Sequence, residues 1–198
     1  MPGGQPDVTN VTPGIWLTPL AIDASPLPDY PLTMTPESAK TIADFLLPQL
    51  TQEHTITRKI LAAVPTDQAS YKPSDKCMSA LDLATHIAAA EAFFLKGVID
   101  GKFEWKQPDL KTPADVVKFY DEVVPLIDEA GKLPGDKLAQ VIEFAVFSNP
   151  AVSYLQLHLK HNAHHRGQLS AYLRPMGAKV PSIYGPSADD DVRKAASK

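Results

Sequence analysis

Three short strings govern what this chain can become: "TPES" at residues 35–38, "SALD" at 79–82 and "TPAD" at 112–115. Each opens on a hydroxyl side chain able to accept a hydrogen bond from a backbone N–H of the helical turn that follows. Pro36 and Pro113 occupy the first helical position, where a missing N–H is no loss. Ser79 and Asp82 have the spacing of a reciprocal capping pair. Behind Thr35 the apolar residues Ile42, Phe45, Leu46, Leu50, Ile56, Ile60 and Leu61 recur at helical spacing, and Pro48 inside that pattern predicts a bend or a division. Gly101 is expected to stop the second helix and Gly131 the third. A fourth helix is expected from near Pro150 to about Arg174, with Pro175 and Gly177 ending it. Residues 132–150, "KLPGDKLAQVIEFAVFSNP", read as a connection holding a short helical or strand-like piece. Four helices of about 20 residues with little strand signal predict an all-α four-helix bundle.

The flanks differ in kind. Pro2, Pro6, Pro13, Pro19, Pro26, Pro28 and Pro31 forbid a helix over residues 1–34 and favour extended backbone. Trp16, Leu17, Leu20, Ile22 and Tyr30 are large apolar residues for a solvated tail. The expectation is an extended arm over 1–34 that packs along the bundle or across to a second copy in a homodimer, a bundle over 35–186 and a tail over 187–198. A net charge of −4 offers no basic footprint for nucleic acid or anionic lipid. No run approaches the roughly 18 apolar residues of a membrane span. The start "MPGGQPDVTN" lacks the basic flank and apolar core of a secretory signal, so a cytoplasmic location is expected. Cys77, the single cysteine, cannot form an internal disulfide or a cysteine-based zinc cluster, and reads as a small buried residue.

Histidine is the unevenly used residue. Four of the six lie between His158 and His165, in "HLKHNAHH". An α-helix advances about 100° per residue, which sets His161 and His165 about 40° apart on one face. Both rings can therefore reach one ion. His158 shares that stripe but stands almost two turns from His165, and His164 turns away. Two imidazoles hold a transition metal weakly, so a third ligand is needed. His86, in "LATHIAAAEAFF", has apolar neighbours that must pack inward; His54, in "TQEHTIT", reads as a surface residue. A lone histidine like His86 is ordinarily a hydrogen-bonded core residue, but beside an inward pair on another helix it reads as a ligand. Three neutral imidazoles leave a position for water or substrate and suit Zn, Ni, Fe or Mn. Such an open site lowers the pKa of a thiol or a water. Protonation of the rings near pH 6.5 is expected to compete with the metal.

Several neighbours carry lesser expectations. Asp82 reads as the cap rather than as an acceptor for His86, and Glu91 as a surface charge rather than a general base. Arg166 is expected to pair with a carboxylate on a neighbouring helix, and Gly167 to allow a close helix contact. Tyr154 and Tyr172 read as core or rim residues. No catalytic side chain is assigned.

The strings "YKPSDKCMSALDLATHI", "THIAAAE", "HNAHHRGQLSAYLRPMG" and "VPSIYGP" resemble the DinB-like and YfiT-like superfamily of four-helix-bundle metalloproteins, over about residues 36–186. The resemblance implies metal ligands at His86, His161 and His165, and a small-molecule substrate with a low-molecular-weight thiol. It points to a metal-dependent thiol S-transferase or a related hydrolase. The alternatives are a metal-binding protein without turnover and a dimeric interaction bundle.

Overall fold

The computed structural model describes residues 33–190. The arm expected over 1–34 lies, apart from its last two residues, outside that range, as does the tail beyond residue 190. Thr35 accepts from the Ser38 N–H at 3.2 Å and opens α1, Pro36–Ala62. Pro48 is carried inside α1 without dividing it. After a 3₁₀ turn at Thr66–Gln68, the Ala80 and Leu81 N–H groups donate to Tyr71 and Ala69 carbonyls, tying the loop to the start of the next helix. That helix, α2, is Ala80–Asp100, with a complete capping box between Ser79 and Asp82 and with Gly101 left-handed at its end (φ 69°). Only glycine takes that conformation without a Cβ penalty.

The expected third helix is two. α3, Pro113–Asp121, has the capping box of Thr112 and Asp115; α4 is Val124–Gly131. Pro125 is the reason: it has no N–H for the Asp121 carbonyl, and its ring crowds that carbonyl. The connection contains α5, Gly135–Ala139, and a hairpin of β1, Val141–Phe144, with β2, Phe147–Pro150. The strands pair antiparallel with Ile142 opposite Asn149 and Phe144 opposite Phe147. Ala145 in the two-residue turn has φ 54°, the positive φ that tight hairpins demand. α6, Ala151–Leu173, follows directly.

Packing pairs α1 with α6, α6 with α2, α2 with α3 and α4, and these with α1. α1 and α6 run one way, α2 and α3–α4 the other, so residues 101–112 cross the length of the bundle. The interior holds two apolar clusters. One gathers Leu46, Leu50, Phe94, Leu95, Val98, Leu138 and Leu155; the other Ile60, Leu61, Leu83, Ile87, Leu169 and Leu173. Between them lies a layer of buried polar residues: His54, Thr57, Glu91, His158, Asn162 and Arg166. Each fully buried leucine contributes about 1.5–3 kcal/mol by leaving water, while each polar group in the layer must find a partner or destabilise the fold. No described helix is long and apolar enough to cross a membrane.

Candidate metal centre

α2 and α6 are antiparallel neighbours, and they bring the three expected histidines together. Nε2 of His86 lies 3.1 Å from Nε2 of His161. The His165 ring centroid is 4.6 Å from that of His86 and 4.5 Å from that of His161. One nitrogen from each of the three falls within 4.8 Å of the others. Among the described residues this is the one group of His, Cys, Asp or Glu with such spacing. All three rings are half-buried. His164 is exposed, as the helix angle requires, and Asp82 is engaged with Ser79 at the helix start.

The rings are poised as neutral donors. Burial, then the charge of His165, holds His86 down at about 4. Burial, then the surrounding histidines, takes His161 to about 2. Burial also lowers His165, against an opposing hydrogen bond to Gln168. The expected competition from protons near pH 6.5 is thereby displaced downward, because these rings are shielded and crowd one another. His165 Nδ1 donates to Gln168 Oε1 at 3.1 Å, and Gln168 Nε2 donates to Tyr172 Oη at 3.3 Å. This relay fixes the tautomer that leaves the His165 Nε2 lone pair available.

The donor set fits a transition-metal ion. Nitrogens bound to one zinc stand about 3.3 Å apart, given a Zn–N length of about 2.0–2.1 Å, and the His86–His161 separation is close to that. His161 meets His86 through Nε2, while its other ring nitrogen, Nδ1, is buried without a hydrogen-bond partner.

Four expectations fail here. His54 is buried, not on the surface: its Nδ1 donates to Glu91 Oε1 at 2.6 Å and its ring stacks on Tyr120 at 4.1 Å. Glu91 is 1% exposed and is the hub of the polar layer. Tyr120 Oη and Asn162 Nδ2 donate to its Oε2, and His158 Nε2 lies 3.5 Å from the same atom. Burial pushes the Glu91 carboxyl upward, but hydrogen bonds and charge from His158 and His54 overcome it and leave the group at about 2. Gly167 makes no close helix contact, since a Cβ there would meet nothing within 4 Å. Cys77 is half-buried, with Sγ 3.3 Å from Ser74 Oγ. Arg166 does pair as expected. Its buried guanidinium donates to Glu53 of α1, to Thr57 Oγ1 at 3.1 Å and to Tyr184 Oη. Apart from Arg166, the polar layer had no signal in one sequence beyond the polarity of His54, Glu91 and Asn162 at helical positions.

Comparison with known proteins assigns the family. The model of the DinB family matches residues 40–193. The chain belongs to the DinB family. Its relatives include YjoA of Bacillus subtilis, an uncharacterized protein 31% identical over 129 residues, which span 62% of this chain and 82% of YjoA. YrdA of the same organism, also uncharacterized, is 38% identical over 53 residues, or 27% of this chain and 32% of YrdA. A DinB-like crystal structure from Bacillus cereus aligns with a TM-score of 0.62 at 25% identity, covering 70% of this chain and 95% of that one. The crystal structure of YjoA aligns at 0.60 and 24% identity, covering 70% and 96%. The DinB bundle is thus the frame that sets α2 against α6 and makes the histidine cluster.

Proposed function

We propose that His86, His161 and His165 hold one divalent transition-metal ion, zinc, nickel, iron or manganese, and that the chain is a metal-dependent enzyme acting on small molecules. The observation that carries this reading is the convergence of three imidazole nitrogens within 4.8 Å of one another at half-buried positions. Three imidazoles leave at least one coordination position for water or substrate, the arrangement of catalytic rather than closed structural sites. A bound ion would supply Lewis-acid activation, lowering the pKa of a thiol or a water held beside it.

The chain's own residues do the rest. Their lowered proton affinity keeps the three rings available as ligands at neutral pH. Gln168 orients His165, and the helix geometry orients His161. Glu91 is excluded as a general base because its oxygens are taken by His54, Tyr120 and Asn162 inside the core. With Glu91 withdrawn into the core, the centre suits a reaction whose nucleophile needs only to lose an acidified proton. Thiol transfer is such a reaction: sulfur bonds to an electrophilic carbon, the leaving group departs with its electron pair, and the thiol proton passes to solvent.

The test has two stages. Protein purified without an affinity tag should carry one ion per chain by elemental analysis, and His161→Ala should carry none while keeping its helical circular dichroism. Full occupancy in the variant would overturn the ligand set. Conjugation of glutathione, bacillithiol or mycothiol to a chlorinated aromatic should then be faster for the metal-loaded parent than for His165→Ala. Equal rates would remove the metal from that reaction.

A further inference from the structure

Gly97 sits inside α2, where glycine is a poor helix former. Its neighbour explains it: a Cβ at residue 97 would lie 2.0 Å from Cε1 of Phe103. Phe103 is seated on that bare stretch of backbone, 5.0 Å from Phe93, 5.1 Å from Phe144 and 4.8 Å from Tyr154 between ring centroids. The seat anchors the beginning of the crossover 101–112, and Leu110 anchors its far end against the other apolar cluster. Between these anchors the crossover has neither helix nor strand and runs back along α2 toward His86. Trp105, two residues beyond Phe103, arrives 5.3 Å from the Phe93 ring and 6.1 Å from the His86 ring. It keeps 39% of its surface exposed.

A single exposed apolar residue is ordinary on a protein surface. This one is held at both sides of its loop, backed by an aromatic ring, and placed beside the one imidazole cluster among the described residues. We propose that Trp105, backed by Phe93, is the recognition wall of the histidine centre, and that it selects substrates carrying a planar aromatic or heteroaromatic group next to the atom that approaches the imidazoles. Aromatic pairs attract at centroid separations of about 4.5–7 Å. A ring bonded directly to a donor atom at the histidines has a π-face to offer Trp105, whereas a small alkyl group has none. An aromatic thiol is the simplest such ligand. The inference rests on the metal reading above, and Trp105 is a positioning residue for substrate, with no part in bond making.

The probes are thiophenol and 2,2,2-trifluoroethanethiol, an aliphatic thiol of similar acidity, titrated into the metal-loaded full chain. The background is Trp16→Phe, which leaves Trp105 as the sole tryptophan of the two in the sequence. Thiophenol should change the Trp105 emission and bind about ten-fold tighter than the aliphatic thiol, the scale of one good aromatic contact. By calorimetry Trp105→Ala should lose that preference, keep its affinity for the aliphatic thiol within about two-fold and retain its metal. Trp105→Phe should recover part of the preference, a result that a general loosening of the crossover would not produce. A metal-loaded parent that does not prefer thiophenol, or a Trp105→Ala protein that still does, overturns the proposal. Metal content is measured on the same samples. A parent without metal overturns the metal reading and this inference with it, whereas a parent with one ion and no preference overturns this inference alone.

Discussion

Replacing Glu91 by glutamine keeps the shape of the side chain and removes its charge. In the parent, Oε1 accepts from His54 Nδ1 at 2.6 Å, while Oε2 accepts from Tyr120 Oη and from Asn162 Nδ2 at 3.1 Å. An amide has one acceptor oxygen, so either His54 or the Tyr120–Asn162 pair meets an NH₂ group and loses its acceptor. The cost can be set from the ionisation of the parent. A fall from the ordinary 4.5 to about 2 corresponds to roughly 3 kcal/mol favouring the charged form in the fold, at 1.36 kcal/mol per unit. Leaving a buried donor without its acceptor costs about 1–3 kcal/mol, and more where a charged group is involved, the same range. The carboxyl ionises more readily in the folded than in the unfolded chain. Its contribution is therefore complete above the unfolded value of 4.5 and disappears as pH falls toward 2. Urea denaturation should show Glu91→Gln less stable by about 3 kcal/mol at pH 7, and by about half as much at pH 3. A deficit below about 1 kcal/mol at pH 7, or one that does not shrink in acid, would refute the charged hub.

The metal centre should respond to pH in its own window. His86 and His161 protonate in the folded chain at about 4 and about 2 against an unfolded 6.5, so their contribution to the metal-free fold is full above 6.5 and is lost as pH falls from there, to about 4 for His86 and about 2 for His161. Metal should accordingly survive dialysis at pH 5.5, measured by elemental analysis, and release there would contradict the shielding of the rings. His164→Ala should bind metal as the parent does, since that ring is exposed; loss of the ion with the fold intact would make His164 a ligand. Arg166→Met leaves the Glu53 carboxylate without its buried partner and should lower stability by about 3 kcal/mol in urea. Gly97→Ala forces Phe103 off its seat and should cost about 1–3 kcal/mol as an overpacked site, with a shift in Trp105 emission; an unchanged spectrum would separate the crossover from Gly97.

What the sequence determined by itself is whatever a few neighbouring residues decide. Thr35, Ser79 and Thr112 mark helix starts because capping is a hydrogen bond over three residues, and Gly101 marks an end because its φ is local. His161 and His165 share a face because helix pitch sets the angle. Pro125 carries an equally local signal for the break between α3 and α4, set within a strong helical pattern. His86 could be matched with that pair because three imidazoles are needed for one ion and its flanks are apolar. The tertiary structure alone decided the polar layer. His54 and Glu91 read as surface residues in isolation, since burying either costs several kcal/mol without partners. Those partners come from α1, α3 and α6, at separations of 29 to 71 residues in the chain. The two glycines make the same division: nothing local tells Gly97, which must be bare under Phe103, from Gly167, which faces open space. A residue's own chemistry sets which way its backbone turns, but the free energy of burying it belongs to the groups that long-range packing brings against it.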